Sequence, residues 1–473
     1  MIQSKIPAPS GVFRPQEIAR VCGGRVIRSG AIAQRVVTDS RELEVGDCFV
    51  ALHGPNFDGH GFLGDVFTRG VAGVVVSADV PMRLLPSGVF VVRVPDTHKA
   101  LLDLAFAHRR EMSAKVVGIT GSCGKTSTKD MLAHVLSARM SVVASPMSYN
   151  NHVGVPLTLF QMQHSTQAAV VEIGSNAPGE VAMLAKVADS DIGIVTCVRE
   201  AHLEGFGNLG GVAREKMCLI ESLSADGVAL LNGDDHACRA MAEHTSARAM
   251  LVSVVDESAD WFATNIQHHG LGMTFLLRGK RPVTLPRMGS HNVHNALFTI
   301  AAAVELGMDE DSVLEMLYCL PATRRRLEPK DAGGVTVLDD SYNMNPASAR
   351  AALHALAGWQ GKGLRIAVFG EMLELGGSSA GLHEDLGRAA AETGVDYLVT
   401  VGKGAAPLAE GALAAGMSEA KVVCADDSQA ALVRLLEIVG AGDCVLCKAS
   451  RQIGLDRLVD NLISHLGAPS TST

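Results

Sequence analysis

The sequence predicts an α/β protein in three blocks, each carrying its own sheet. Two observations support this. Short apolar runs of strand length recur beside alanine- and leucine-rich segments whose apolar residues return at helical spacing, the alternation that builds crossover units on parallel sheets. The chain is also 473 residues long, about three times a ~150-residue domain, so several cores are expected.

The first block, 1–110, contains the strand candidates CFVAL, AGVVVSA and VFVVRV and closes on the helix-like HKALLDLAFAHRREM. KVVGIT opens the second block, 111–322, with TKDMLAHVLSARM as a crossover helix and AAVVEIG and IGIVTC as further strands. LPATRRRLEPKDAGG places charge, Pro and Gly between elements and reads as the linker into the third block, 323–473. There VTVLDD, RIAVFG, YLVTVG, KVVCA and DCVLCK alternate with helical segments such as PASARAALHALAGW.

Composition narrows the function. Hydrophobic residues make up 47% and charged residues 19%, with 41 Lys+Arg against 50 Asp+Glu and a formal net charge of -9. That balance belongs to a packed chain, and its acidic sign argues against coating nucleic acid. The opening MIQSKIPAPSGVFRPQEIAR lacks an apolar leader core, and nowhere do ~18 apolar residues run together, so neither secretion nor membrane insertion is expected. The ten cysteines are scattered; Cys444 and Cys447 form a C-x-x-C inside a strand-like stretch and read as core thiols in a reducing cytoplasm.

The strongest local pattern is KVVGITGSCGKTSTKDMLAHVL, a buried-type strand, a glycine-containing turn, Lys and Thr, then an amphipathic helix. In a phosphate-binding loop, Gly121 and Gly124 let the backbone approach, amides at the helix start donate to the phosphates, Lys125 reaches the outer phosphates and Thr126 ligates magnesium. The strict pattern puts its first Gly at the position of Ile119, with Gly118 and Gly121 on either side, and a plain glycine turn is the competing reading. Glu172 closes an apolar strand, where an unpaired carboxylate is costly and a metal or a lysine is the simplest relief. A carboxylate capping a helix is the alternative. His202 and Glu204 fall in a polar, Gly-rich loop and Lys216 on the helix after it. Read alone, His202 is a structural imidazole and Lys216 a solvated side chain.

Taken together, GITGSCGKTSTK, PMSYNNHVGVPLTL, AHLEGFGNLGGVAREK, GSHNVHNAL, RRRLEP, LDDSYNMNPASARAAL and FGEMLELG resemble the Mur ligase family of peptidoglycan synthesis. The likeness extends from VVTDSRELEVGDCFVALHGPNFDGHGF to CKASRQIGLDRLVDNL, nearly the whole chain. It implies a smaller N-terminal α/β domain for a uridine nucleotide, a central P-loop ATPase-like domain and a C-terminal Rossmann-like domain that closes over the nucleotide. It also implies an ATP- and magnesium-dependent cytoplasmic ligase, with a monomer sufficient. The expected reaction joins D-alanyl-D-alanine to UDP-N-acetylmuramoyl-tripeptide through an acyl phosphate, giving the pentapeptide precursor, ADP and phosphate. Siblings adding diaminopimelate or lysine usually carry an Asp-Asn-Pro-Arg element that is absent here, and folate-tailing relatives follow the loop lysine with Gly-Ser where this chain has Thr126 and Ser127. A sibling ligase and a nucleotide-gated switch protein remain the alternatives.

The same resemblance assigns residues. Asp39, Ser40 and Arg41, with Asp58, Gly59 and His60, fall on the uridine side. Gly121, Ser122, Cys123, Gly124, Lys125, Thr126 and Ser127 form the phosphate cradle. Thr126, Glu172, His202 and Lys216 match magnesium-side positions, Lys216 at the family lysine that becomes carbamylated. Such a lysine must lose its proton before reacting with carbon dioxide, so a partly buried site is expected. Asn151 or its neighbour Asn150 lies near the reacting groups, Asn292 and Asn295 near adenine, Arg326 near the phosphates and Asp340 on the ribose. Blander readings make Asn292 and Asn295 helix caps and Arg326 a linker charge. Tyr342, Asn343, Asn345 and His383 fall on the acceptor side. The chain departs from the family pattern at Cys123, where Asn is usual, at Cys197 to Ala201 before His202, and at Ala449, where Gly is common.

Overall fold

Three sheets follow one another along the chain in the computed structural model, which describes residues 13–80 and 85–467. Most of the opening stretch inspected for a leader lies outside the described residues. The first sheet contains β1 (Arg25–Arg28), β2 (Val36–Val37), β3 (Cys48–Val50), β4 (Gly73–Val76) and β5 (Phe90–Arg93), in the order β1-β5-β4-β3-β2. β2 to β5 pair in parallel, and β1 lies antiparallel at one edge. The helix Thr97–Glu111 starts where the Asp96 carboxylate accepts from the backbone N–H groups of His98 and Lys99. Its buried Leu101 and Leu104 belong to one apolar cluster with Val75 and Phe90 of the first sheet and Leu159 and Val171 beyond it. The helix that ends the first block is therefore also packed against the second.

The second sheet has nine strands, β6 (Lys115–Thr120), β7 (Val142–Ala144), β8 (Ala168–Glu172), β9 (Ile192–Val195), β10 (Val228–Asn232), β11 (Arg248–Ser253), β12 (Trp261–His269), β13 (Gly272–Leu277) and β14 (Arg281–Leu285). Their order is β14-β13-β12-β11-β10-β9-β6-β8-β7. β6 thus lies between β8 and β9, with Ile119 opposite Glu172 and Thr120 opposite Val195. Because all three strands are parallel, their C-terminal ends open side by side, the crevice where α/β sheets bind ligands.

The sequence pattern nominated no strand between 228 and 285, yet this stretch supplies five. β12 is a long strand whose outer half alternates between part-buried and exposed positions, and it pairs antiparallel with β13. This hairpin extension is half polar, which hides it from a search for apolar runs. Trp261 and Phe275 pack in the same cluster as Val293, Phe298 and Ile300 of the helix Ser290–Glu305, which fixes that helix beside the crevice.

The third sheet comprises β15 (Glu328–Ala332), β16 (Val335–Asp339), β17 (Arg365–Gly370), β18 (Tyr397–Val401), β19 (Val422–Ala425) and β20 (Cys444–Lys448), in the order β15-β16-β20-β17-β18-β19. Only β15 pairs antiparallel, at the edge. Cys444 and Cys447 are buried within β20. Among the described residues, no helix is long and apolar enough to cross a membrane.

Candidate functional site

The turn after β6 is shaped by two glycines. Gly121 has φ 142°, and a Cβ there would stand 2.0 Å from the Thr196 hydroxyl; Gly124 has φ 84°, and a Cβ would stand 2.7 Å from Asn295 Oδ1. Only glycine fits both the backbone and the space. The turn delivers its amides to the start of the helix Lys125–Ser137, a natural anion site. Lys125 Nζ donates to the Gly121 carbonyl at 2.6 Å, folded back over the loop where phosphate oxygens are expected to replace that carbonyl.

Next to it, Thr126 joins three parts of the chain. Its hydroxyl donates to Glu172 Oε2 at 2.8 Å and accepts from Arg326 Nη2 at 2.9 Å. Glu172 is 1% exposed, and its other oxygen accepts from Asn150 Nδ2 at 2.8 Å. The buried carboxylate therefore has partners on both oxygens, as its burial demands. Arg326 arrives from the segment leading into the third sheet and stacks over the Tyr342 ring at 4.5 Å.

Lys216 is buried on the helix Leu209–Glu221 and donates to Ser175 Oγ at 2.7 Å. Burial, reinforced by the neighbouring Lys125 charge, lowers its pKa to about 7, so a large fraction of the amine is neutral near physiological pH. His202 has φ 51° and directs Nδ1 to Glu374 Oε2 of the third unit at 2.5 Å. Glu374 is itself left-handed at φ 63°. Burial moves the His202 pKa down, opposed by Glu374.

On the far wall, Asn292 and Asn295 are one helical turn apart and both buried. Asn295 Nδ2 donates to Asn292 Oδ1 at 3.0 Å, and Thr128 Oγ1 donates to Asn295 Oδ1 at 3.2 Å, so the pair is tied to the phosphate-loop helix and does not cap its own. Asp340 accepts from Lys448 Nζ at 2.7 Å; burial raises the carboxyl's pKa while Lys448 pulls it down. Asn345 caps the helix Pro346–Ala357 and also donates to the Ser122 carbonyl at 3.2 Å, a second tie between the two units.

Fifteen of the expected residues line one cavity of about 660 Å³ between the second and third sheets: Ser122, Cys123, Gly124, Lys125, Thr126, Ser127, Glu172, His202, Asn292, Asn295, Arg326, Asp340, Tyr342, Asn343 and Asn345. Gly121 and Lys216 are not part of its lining. Two more expected residues stand off the cavity wall. Asn151 accepts from the backbone N–H groups of Val153 and Gly154 and starts the next helix, whereas Asn150 lines the cavity. His383 is fully buried; the Met372 N–H donates to its Nε2, so Nδ1–H donates to the Ser379 carbonyl. It holds the 371–375 loop from behind and does not face the cleft.

The residues expected on the uridine side do not line this cavity. Asp39 accepts from the Arg41 backbone and side chain at 2.9 Å and 2.6 Å. Asp58 accepts from the backbone of His60 at 3.0 Å and pairs with its Nδ1 at 2.6 Å, while the Ser77 N–H donates to His60 Nε2 at 3.0 Å. Ser40 and Gly59 belong to the same short turns. Two cleft residues escaped sequence reasoning, Glu374 and Lys448. Both sit in motifs noted for resemblance, but their partners His202 and Asp340 are distant in sequence.

A glycine-loop nucleotide site whose loop threonine is held by a second α/β unit defines the class: a multi-unit enzyme that acts on a nucleoside triphosphate between its domains. Residues 119–303 match the Mur ligase middle domain and residues 325–451 the Mur ligase, glutamate ligase domain. The chain is 34% identical over 436 residues to the UDP-N-acetylmuramoyl-tripeptide–D-alanyl-D-alanine ligase of Bacillus subtilis (strain 168), covering 90% of this chain and 93% of that one. A crystal structure of MurF from Acinetobacter baumannii superposes with a TM-score of 0.88 at 30% identity, over 97% of this chain and all of the other. MurF ligase from Thermotoga maritima in complex with ADP gives 0.81 at 26% identity, over 91% of this chain and 97% of that one. The chain belongs to the Mur ligase family and is an ATP-dependent ligase.

Proposed function

We propose that this chain joins D-alanyl-D-alanine to UDP-N-acetylmuramoyl-tripeptide at the expense of ATP, as a cytoplasmic step in peptidoglycan precursor synthesis. The observation that carries the chemistry is the Thr126 hydroxyl held between Glu172 and Arg326, with Lys125 folded over the same glycine loop where a triphosphate chain would lie. The substrate pair rests on the likeness to D-alanyl-D-alanine ligases along nearly the entire length of both chains. Residues 1–110 present the nucleotide-sugar peptide, 111–322 hold ATP, and 323–473 close the cleft and admit the dipeptide.

A free carboxylate cannot form a peptide bond without a better leaving group. The tripeptide carboxylate attacks the γ-phosphorus of ATP, giving an acyl phosphate and ADP; the dipeptide amine then attacks the acyl carbon, and the tetrahedral intermediate expels phosphate. Lys125 offsets negative charge on the transferred oxygens, the principal aid a protein gives such a transfer. Arg326 and Tyr342 bring the third unit against the nucleotide and exclude water from the acyl phosphate.

Among the described residues, no cluster of three or more His, Cys, Asp or Glu side chains forms a metal cage. Magnesium bound through substrate phosphates needs only one or two carboxylates, and the Thr126 hydroxyl beside Glu172 fits that demand. When bound, magnesium supplies charge neutralisation between the phosphates. Thr126 and Glu172 would hold one ion. His202, with Lys216 as its carbamate, would face a second; the lowered Lys216 pKa and burial provide the neutral amine that carbamylation requires.

The test is phosphate release and product mass with a panel of donors and acceptors. Release that requires both the tripeptide donor and D-alanyl-D-alanine, with a product heavier by the dipeptide, is expected. Efficient addition of a single diaminopimelate or lysine to a shorter donor, or hydrolysis indifferent to the dipeptide, overturns the assignment.

A further inference from the structure

Two of the ten cysteines meet inside the nucleotide cleft. Cys123 in the phosphate loop and Cys197, just beyond β9, place their sulfurs 2.8 Å apart. Both line the cavity, and both stand at positions where the chain departs from the family pattern. The segments that carry them are also joined by hydrogen bonds of their neighbours. The Ser122 N–H donates to the Cys197 carbonyl at 2.9 Å, and the Thr196 hydroxyl donates to the Cys123 carbonyl. Ser122 Oγ donates to the Arg199 carbonyl at 2.8 Å and accepts from the Arg199 N–H at 2.9 Å. The thiols are thus held face to face by backbone that is already fixed. A disulfide bond of ~2.05 Å requires closing the gap by only ~0.8 Å, within the reach of small side-chain rotations.

The electrostatic setting favours reaction. The hydrogen bond from Cys123 holds the Cys197 pKa down to about 7, with Arg199 assisting, while the same contact raises that of Cys123. One proton shared by two sulfurs leaves a thiolate available near neutrality, the form that attacks oxidants. Cys123 is partly exposed, so a small oxidant entering the cleft can reach the pair.

We propose that Cys123 and Cys197 form a reversible disulfide site that responds to hydroperoxides and disables the nucleotide cleft when oxidised. The Cys197 thiolate attacks one oxygen of hydrogen peroxide; the O–O bond breaks, and the departing hydroxide takes a proton to become water, leaving a sulfenic acid. The Cys123 sulfur then attacks the Cys197 sulfur, the S–O bond breaks, and the hydroxyl leaves as a second water with the Cys123 proton. Two thiols lose two electrons and two protons, and one peroxide becomes two waters. The bond ties together residues 74 apart in sequence. Closing the bond draws the Cys123 turn towards the end of β9 and places a covalent link on the cavity wall, displacing loop amides that phosphate binding requires to face the anion. The functional consequence rests on the proposed ATP site; formation of the bond does not.

The test uses the full chain, reduced and then exposed to hydrogen peroxide. Mass spectrometry of a non-reducing digest should find the Cys123 and Cys197 peptides linked and lighter by two hydrogens. Affinity for an ATP analogue should fall by roughly tenfold or more, equivalent to ~1.4 kcal/mol, and return with dithiothreitol. Magnesium-ATP added first should slow the reaction. C197S, and C197A as a second variant should the first misfold, should show the same nucleotide affinity before and after peroxide. The proposal is overturned if both cysteines remain separately alkylatable, if either links to another cysteine, or if the linked protein binds nucleotide as well as the reduced form. Failure of the reduced protein to bind the analogue at all rejects the nucleotide site itself, a result distinct from absence of the cross-link.

Discussion

The loops after β6, β8 and β9 and the turns Ser40–Glu42 and Gly59–Phe62 are built from the same residue types, but their polar groups face different things. In the second sheet, groups far apart in sequence converge: Thr126 meets Glu172 and Arg326, and Asn345 reaches Ser122. These contacts surround a cavity and leave Lys125 held only by a carbonyl of its own loop. In the first sheet, Asp39 and Asp58 hydrogen-bond residues two positions onward in their own turns. Distant polar and charged groups that converge around a cavity suit the binding of an anion, whereas the carboxylates of the first sheet are satisfied within their own turns. The two regions should therefore respond differently to substitution.

The largest expected effect is at the converging loops. Lys125→Ala should lower kcat by ~10³-fold or more, at ~1.4 kcal/mol per tenfold, while the melting temperature stays near that of the parent. Normal ATP-dependent phosphate release from a folded variant would remove the distinction between the two regions.

Lys216 sharpens it through pH. Its pKa falls from 10.5 to about 7 on folding, so between those values the unfolded chain binds more protons and stability rises with pH. Below about 7 both states are protonated and the burial penalty is fully present. Urea unfolding across that window should show a slope approaching ~1.4 kcal/mol per pH unit from this group, abolished in Lys216→Met. In the intact enzyme, uptake of labelled bicarbonate at Lys216 should rise through the same range; an unmodified lysine in the metal- and nucleotide-bound complex contradicts the carbamate.

A neighbouring pair separates chemistry from scaffold within one loop. Asn150→Ala should reduce kcat by about tenfold and cost about 1–3 kcal/mol of stability, because it strips a partner from the buried Glu172 carboxylate. Asn151→Ala should cost only ~1 kcal/mol of stability, through the lost helix start, and leave kcat close to normal. The smallest effect is expected in the first sheet: Asp58→Asn, which loosens His60, should raise the KM for the nucleotide-sugar peptide by ~3-fold, about 0.7 kcal/mol, without altering the KM for ATP.

The sequence was most informative where one segment contains its own explanation. The eleven apolar runs nominated as strands all form strands, and the glycine loop, Lys125 and Thr126 stand where strand, turn and helix require. It was least informative where meaning depends on tertiary partners. β12 and β14 are hidden by polar residues between their apolar positions, while β10 is as apolar and buried as the nominated strands and nothing local sets it apart. Asn151 and His383 were assigned by motif, yet backbone hydrogen bonding draws one into a helix start and the other into the core. Glu374 and Lys448 acquire a role only when the third unit brings them to His202 and Asp340.

The most direct measurement of the central claim follows oxygen from the tripeptide. With the donor's terminal carboxylate carrying heavy oxygen, activation by ATP in the Lys125 loop predicts that one labelled atom appears in the inorganic phosphate released per peptide bond formed. Retention of all the label in the peptide would contradict phosphoryl transfer to that carboxylate.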